Sequence, residues 1–343
     1  QHLFTMLNAL HPADVLPGTI AAAESAGLLS ANGALTPRGR ATVDKAANAV
    51  VSYVNLSADR SRFAYGKKWT LNPVALSASQ AAVVKNACAK RKGEARRRCA
   101  EVTSVSVNMP RRGAAGPNLA ELRKRAPDSY PLLTQLVANI REQDAADRRD
   151  HGGTYKHVVF TNVRDVTQVQ HIVDVLRASG FEGAGNAVAM LSGSGLTPAE
   201  RDRVLKAFNA APGNARGQRQ RILVVDGRFR EGINLFDVRH FHMLQPLSEY
   251  EERQAVGRVL RMCGSTFLPD TDGIWQVRLH LYDAVDATRD YASIYDILDV
   301  RESAKDATTM EQLEDAARDA ALDRRLFQAY NVAGAADDYA TKR

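Results

Sequence analysis

Lys156-His-Val-Val-Phe-Thr-Asn162, followed by a segment from Val166 to Ser179 that Gly180 closes, decides the fold. The first stretch is a short apolar run, the pattern of a strand buried on both faces. The second has apolar residues at helical spacing and stops at a glycine, which terminates helices because it accepts a left-handed backbone. The same alternation continues downstream: Val188-Ala-Met-Leu191, a helix from Pro198 to Asn209 capped by Thr197, Ile222-Leu-Val-Val225, Arg239-His-Phe-His-Met-Leu244, a helix from Glu249 to Met262, and Val277-Arg-Leu-His-Leu-Tyr282. With the amphipathic Tyr130 to Glu142 ahead of them, five strands alternating with helices predict an α/β fold, a doubly wound parallel sheet with helices on both faces.

Outside this region the texture changes. Residues 1–60 read as helices: Asp14-Val-Leu-Pro17 breaks a first segment, Ala21 to Leu29 is amphipathic, and Gly39 to Val54 has helical spacing. Residues 61–128 read as an irregular basic insertion with Lys90-Arg-Lys92, Arg96-Arg-Arg98, Arg111-Arg112 and Arg123-Lys-Arg125. Its simplest reading is a solvated loop; a contact with nucleic acid or with other proteins is the alternative. The sheet region is expected over 129–286, and 287–343 as a helical extension rich in Ala, Asp and Arg.

The 46 Lys and Arg residues exceed the 39 Asp and Glu, giving +7, a balance that suits a polyanionic partner. No apolar run reaches the length of a membrane span, and the start has neither the basic flank nor the cleavage site of a secretory signal, so no membrane is expected. Cys88, Cys99 and Cys263 are too few for a disulfide framework or a zinc site. A reducing compartment is expected, with a Cys88–Cys99 bridge left open. No metal site is expected.

In such a sheet ligands lie outside the carboxyl ends of the strands. After Val225 comes Asp226-Gly-Arg-Phe-Arg-Glu231-Gly232-Ile-Asn234-Leu235, where glycines allow a close approach to a ligand and charged residues surround it. Further on stands Gln254-Ala-Val-Gly257-Arg258-Val-Leu-Arg261. On one helix, Arg258 and Arg261 would share a face and could neutralise charge on a transferring phosphate; a solvated basic face is the plain alternative. His240 and His242 alternate with apolar neighbours and read as core or edge histidines, Cys263 as a small hydrophobe, and Trp275 and Tyr282 as packing residues, with base stacking by an exposed Trp275 the alternative.

Together, Val159-Phe-Thr-Asn162, Leu191-Ser-Gly193, Glu231-Gly-Ile-Asn-Leu235 and Gln254 to Arg261 resemble motifs IV, V and VI of superfamily 2 helicases in order and spacing. Phe208-Asn209, Gly213-Asn214, Gly217, Arg230 to His242 and Gly257 to Gly264 further resemble helicases of large nucleocytoplasmic DNA viruses, the group that includes poxvirus transcription-factor and transcript-release ATPases. The resemblance implies a RecA-like second lobe over 129–286 with helical flanks. Val51-Ser-Tyr-Val54, Asp59 and Phe63 look like the segment leading in from a first lobe. It also implies roles: Arg258 and Arg261 as arginine fingers, Gln254 as a nucleotide sensor, Glu231, Gly232 and Asn234 coupling nucleotide to nucleic acid, and Asn162, Arg164 and Ser192 near the phosphate backbone.

The chain contains no GxxxxGK[ST] and no Asp-Glu pair ending a suitable strand. ATP and magnesium are therefore expected to be bound mainly by a first lobe outside this sequence, in cis or in trans, and the chain alone is expected to be inactive. The Gln1 start fits a longer polypeptide. The expected partners are DNA or RNA, that first lobe, and viral transcription or virion proteins; the expected location is the virion or the infected cell. A non-enzymatic scaffold using the lobe is the rival reading, and a nuclease is a weak third for want of clustered carboxylates.

Overall fold

The computed structural model describes residues 16–17, 19–47, 65–66, 69–110, 117–183, 187–229, 232–260, 264–265, 267, 276–300, 309, 312–313, 315–317 and 319–320. The chain forms two compact units, Gln1–Ala58 with Glu302–Ala335, and Asp59–Arg301 with Ala336–Arg343.

In the first unit, helix α1 (Ile20–Ser25) starts at Thr19, whose hydroxyl accepts from the Ala22 amide, and α2 (Pro37–Ala47) begins with proline, whose missing N–H costs nothing there. Leu28, Leu29, Val43 and Ala46 pack with Leu313, Ala316 and Ala317. The hydroxyl of Thr309 donates to the Gly33 carbonyl, and Arg40 pairs with Asp319. The sequence reading kept 1–60 and 287–343 apart; parts of both share this small core, a long-range pairing that local spacing does not encode. Val51 to Val54, Asp59 and Phe63 lie outside the described residues.

The second unit runs β1 (Tyr65–Gly66), β2 (Thr70–Leu76), α3 (Ala78–Cys88), α4 (Gly93–Ser106), α5 (Leu119–Ser129), α6 (Pro131–His151), β3 (Lys156–Thr161), α7 (Val166–Ala178), β4 (Ala187–Leu191), α8 (Pro198–Phe208), β5 (Gln220–Asp226), β6 (Val238–Met243), α9 (Glu249–Val256), β7 (Gln276–Asp286), β8 (Ala292–Ser293) and α10 (Ile294–Ile297). Six strands lie parallel in the order β4-β5-β3-β6-β7-β2, with β1 ahead of β2 on the same edge of β7 and β8 antiparallel to β7. This is the parallel α/β sheet expected. All six residues of β3 and of β6 are buried, as central strands covered on both faces must be.

Side-chain alternation divides the core. Val158, Phe160, Leu223, Val225, Phe241 and Met243 pack on one face with Phe208, Ala255 and Val256. On the other face Val159, Ile222 and Val224 meet Leu136 and Ile140 of α6, Ile172 and Leu176 of α7, and residues of α3 and α4.

The irregular insertion expected over 61–128 is corrected here: β2 pairs with β7 along seven residues, and α3, α4 and α5 are regular helices. Ser77 and Gln80 form a capping box at the start of α3. In α4 the buried residues Ala100, Glu101, Ser104 and Val105 sit about one turn apart, Arg97 pairs with Glu101 on that side, and Arg98 is exposed. Cys88 and Cys99 form a disulfide joining the two helices, with Cα atoms 5.7 Å apart.

Candidate functional site

Asp226 ties together the loops at the carboxyl ends of β4 and β5, and Ser194 links the loop after β4 to that after β3. Asp226 Oδ2 accepts from Ser192 Oγ at 2.7 Å and from the Gly193 amide at 2.8 Å, while its Oδ1 accepts from the Arg228 amide at 2.9 Å. The carboxylate is fully buried, so these bonds are what make its burial tolerable. Two glycines let the loops close. A Cβ on Gly193 would come within 2.3 Å of Arg228 Cδ, and one on Gly227 within 2.3 Å of Asn162 Oδ1 and 3.2 Å of the Asn162 Cα. Ser194 Oγ donates to the Arg164 carbonyl, and Arg201 donates to the Gly193 carbonyl at 2.6 Å.

The structure thus gathers Asn162, Arg164 and Ser192, but their side chains differ in reach. Asn162 and Ser192 are buried and engaged inside the protein, whereas Arg164 is exposed. A second group forms around α9. Gly232 adopts φ +81°, a backbone that favours glycine; Asn234 is exposed; and the Leu235 amide donates to the Arg258 carbonyl at 3.2 Å, pinning 232–235 against the segment after α9. Asn209 secures the same loop, donating to the Asn234 carbonyl and accepting from the Phe236 amide. Gln254 lies in α9. Glu231 and Arg261 lie outside the described residues, as do Cys263 and Trp275.

The helix expected from Glu249 to Met262 ends sooner. Gly257 caps it after Val256, and 257–260 form turns. Arg258 therefore stands on a turn rather than a helical face, so the spacing argument for a face shared with Arg261 does not apply. Ser248 fixes the other end of α9 by accepting from the Glu251 amide.

Helix α4 ties the two groups together. Arg97 forms ion pairs with Glu94 and Glu101 at 2.9 Å and with Glu251 of α9 at 3.1 Å, and Glu101 accepts from Asn162 Nδ2 at 2.6 Å. Burial pushes the Glu101 carboxyl up to about 7, although the Arg97 cation and the Asn162 amide favour its charge. Sequence reasoning missed both residues because it treated their segment as loop.

Beneath α6 lies a second feature that sequence reasoning half saw. His157 on β3, His240 and His242 on β6, and His280 on β7 stack on one face of the sheet, with adjacent ring centroids 4.4 Å apart for His157 and His240 and 4.7 Å for His242 and His280. Burial would raise the Asp144 carboxyl, but His157 and Arg221 outweigh it and hold it below the usual range. Ionised Asp144 accepts a hydrogen bond from His157 Nε2 at 3.2 Å. His157 Nδ1 then accepts from His242 Nε2 at 2.9 Å, and His242 Nδ1 accepts from the Tyr282 hydroxyl at 3.0 Å. His240 Nε2 meets Asp147 at 2.7 Å. His240 and His242 are core histidines, as read, yet His157 and His280 complete the cluster. The signal was available: Lys156-His157, His240-Phe-His242 and Leu279-His280 place histidines at positions sharing one face of three neighbouring strands. Among the described residues, no group of three or more His, Cys, Asp or Glu is arranged to hold a metal ion.

The donor set does not fit a complete nucleotide and magnesium site. Asp226 has both oxygens occupied by Ser192, Gly193 and Arg228, and Glu101 is committed to Arg97 and Asn162.

Residues 140–263 match the family described as the helicase conserved C-terminal domain. That stretch spans β3 to β6 and the loops sewn by Asp226, and the likeness to superfamily 2 helicases expected from the motifs holds over it. One relative is viral: over 147 residues the chain is 28% identical to the "Putative ATP-dependent RNA helicase R350" of Acanthamoeba polyphaga mimivirus, covering 40% of this chain and 17% of that protein. The chain thus spans about a sixth of that relative's length. Solved structures overlap more loosely. The Sulfolobus solfataricus SWI2/SNF2 ATPase core in complex with dsDNA matches with 19% identity and a TM-score of 0.43, covering 73% of this chain and 47% of that one. The Pyrococcus furiosus Hef helicase domain matches with 22% identity and a TM-score of 0.30, covering 47% and 26%. No helix of the described residues is long and apolar enough to cross a membrane.

Proposed function

We propose that this chain supplies the C-terminal half of an ATP-dependent nucleic-acid helicase or translocase of a large DNA virus, completed by a first lobe that binds ATP and magnesium. The observation that carries the reading is the backbone bond from Leu235 to Arg258, which couples the loop containing Gly232 and Asn234 to the segment of Gln254 and Arg258. Arg258 and Arg261 act as arginine fingers toward nucleotide held by the other lobe, Gln254 senses it, and Glu231, Gly232 and Asn234 relay its state. Arg164 contacts the phosphate backbone directly; Asn162 and Ser192 shape the loops that present it. Such contacts are independent of base sequence, as a motor requires. DNA or RNA, the first lobe, and viral transcription or virion proteins are the partners, and the virion or infected cell is the setting. The rival, a scaffold without motor activity, shares the fold. The test is nucleic-acid-stimulated ATP hydrolysis by the longest natural form, compared with this chain and with Arg258→Ala and Arg261→Ala. Turnover in the long form that either substitution abolishes supports the motor; no turnover in any form supports the scaffold.

A further inference from the structure

We propose that the turn between α3 and α4 is a second contact for the nucleic-acid backbone, closed by the Cys88–Cys99 disulfide and keyed to the strand ends by Arg97 and Glu101. The inference rests on the nucleic-acid partner proposed above and assigns it a specific new surface. From Lys90 to Arg98 the chain carries six cations, Lys90, Arg91, Lys92, Arg96, Arg97 and Arg98, against Glu94 alone. Glu94 is taken up by Arg97 at 2.9 Å and Arg98 at 2.7 Å. Lys90, Arg91 and Lys92 are exposed and make no ion pair among the described residues. Three adjacent unneutralised cations at a tip repel one another, and a polyanion relieves that repulsion.

Position favours a phosphodiester backbone over an acidic protein surface. Arg97 reaches Glu251 at the start of α9, and Glu101, a turn later, holds Asn162 at the carboxyl end of β3. Helix α4 therefore runs along the carboxyl edge of the sheet, the edge where ligands of doubly wound folds lie. Lys90 to Lys92 directly precede that helix, which starts at Gly93, one turn before Arg97. The disulfide bridges the two ends of the turn, with 11 residues of sequence separation, so the cations are held together before binding and less freedom is lost on contact.

The experiment measures binding of the full 343-residue chain to fluorescein-labelled single-stranded DNA and RNA by anisotropy across a potassium chloride series. It compares the wild type with Lys90→Ala/Arg91→Ala/Lys92→Ala, with Arg164→Ala and with Cys88→Ser/Cys99→Ser, each checked for its circular dichroism spectrum. Each phosphate contact on a single strand contributes about 0.7 to the salt slope, so the triple variant is expected to lower its magnitude by about 2 and to weaken binding roughly 100-fold near 0.1 M salt. The cysteine variant keeps its cations and is expected to retain the slope while binding several-fold more weakly. An unchanged slope in the triple variant, with a reduced one in Arg164→Ala, overturns the proposal and leaves the lobe's nucleic-acid reading intact. No binding by the wild type overturns both. Binding by the cysteine variant equal to that of the wild type overturns the role given to the disulfide.

Discussion

Mild acid should destabilise this protein through its histidine stack. Burial first, then the neighbouring histidines, holds His240 and His242 well below their ordinary value; burial and the His157 and Arg278 charges hold His280 at about 3. A base kept neutral when folded takes up its proton only on unfolding, so stability is fully present above about pH 6.5 and falls below it. Between pH 7 and 5.5 each of these three groups removes about 1.3 kcal/mol, or about 4 kcal/mol together. Glu101 works in the opposite sense: raised to about 7, it is protonated in the folded state first and returns about 1.5 kcal/mol over the same interval. Asp147, raised by burial, has the same sign as Glu101, and His157, lowered by burial, the same sign as the other histidines. The balance is a net loss of about 2 kcal/mol, a large share of a typical domain's stability. Urea unfolding midpoints at pH 7 and 5.5 measure it. His280→Gln should shrink the loss by about 1.3 kcal/mol, since one proton site is gone. A midpoint that does not move, or rises on acidification, would refute the neutral stack.

Other predictions concern the loops and the disulfide. Gly227→Ala places a methyl group against the Asn162 side chain and Cα, so it should destabilise the chain by about 1–3 kcal/mol, read as a lower thermal midpoint. Reducing the Cys88–Cys99 bridge should cost about 3 kcal/mol, expected for a closed loop of this size, and leave the far-UV spectrum largely intact; an unchanged urea midpoint in dithiothreitol would count against it.

The sheet was legible because its strands are short apolar runs separated by well-capped helices, and Thr197, Gly180 and the Ile222 to Val225 run mark the boundaries chemically. Helix α4 was not. Arg96 to Arg98 dominate its composition, and its buried face uses Ala100, Glu101 and Ser104, whose value lies in what they touch across the fold. The disulfide likewise depends on two helices meeting. For the site, the helicase-like motifs singled out Asn162, Arg164, Ser192, Gly232, Asn234, Gln254 and Arg258, which lie near strand ends or around α9. They did not show that Asn162 and Ser192 turn inward, because Glu101 and Asp226, which hold them, are distant in sequence. Nor did they foresee that α9 stops at Val256, although Gly257 is a residue able to end a helix there.

The most direct test of the proposed motor is the turnover number for nucleic-acid-stimulated ATP hydrolysis by the longest natural form, measured with Arg258 intact and with Arg258→Ala. The account predicts a loss of about 10³-fold or more with nucleic-acid affinity kept, the scale of a missing arginine finger. Equal turnover in the two proteins would contradict it.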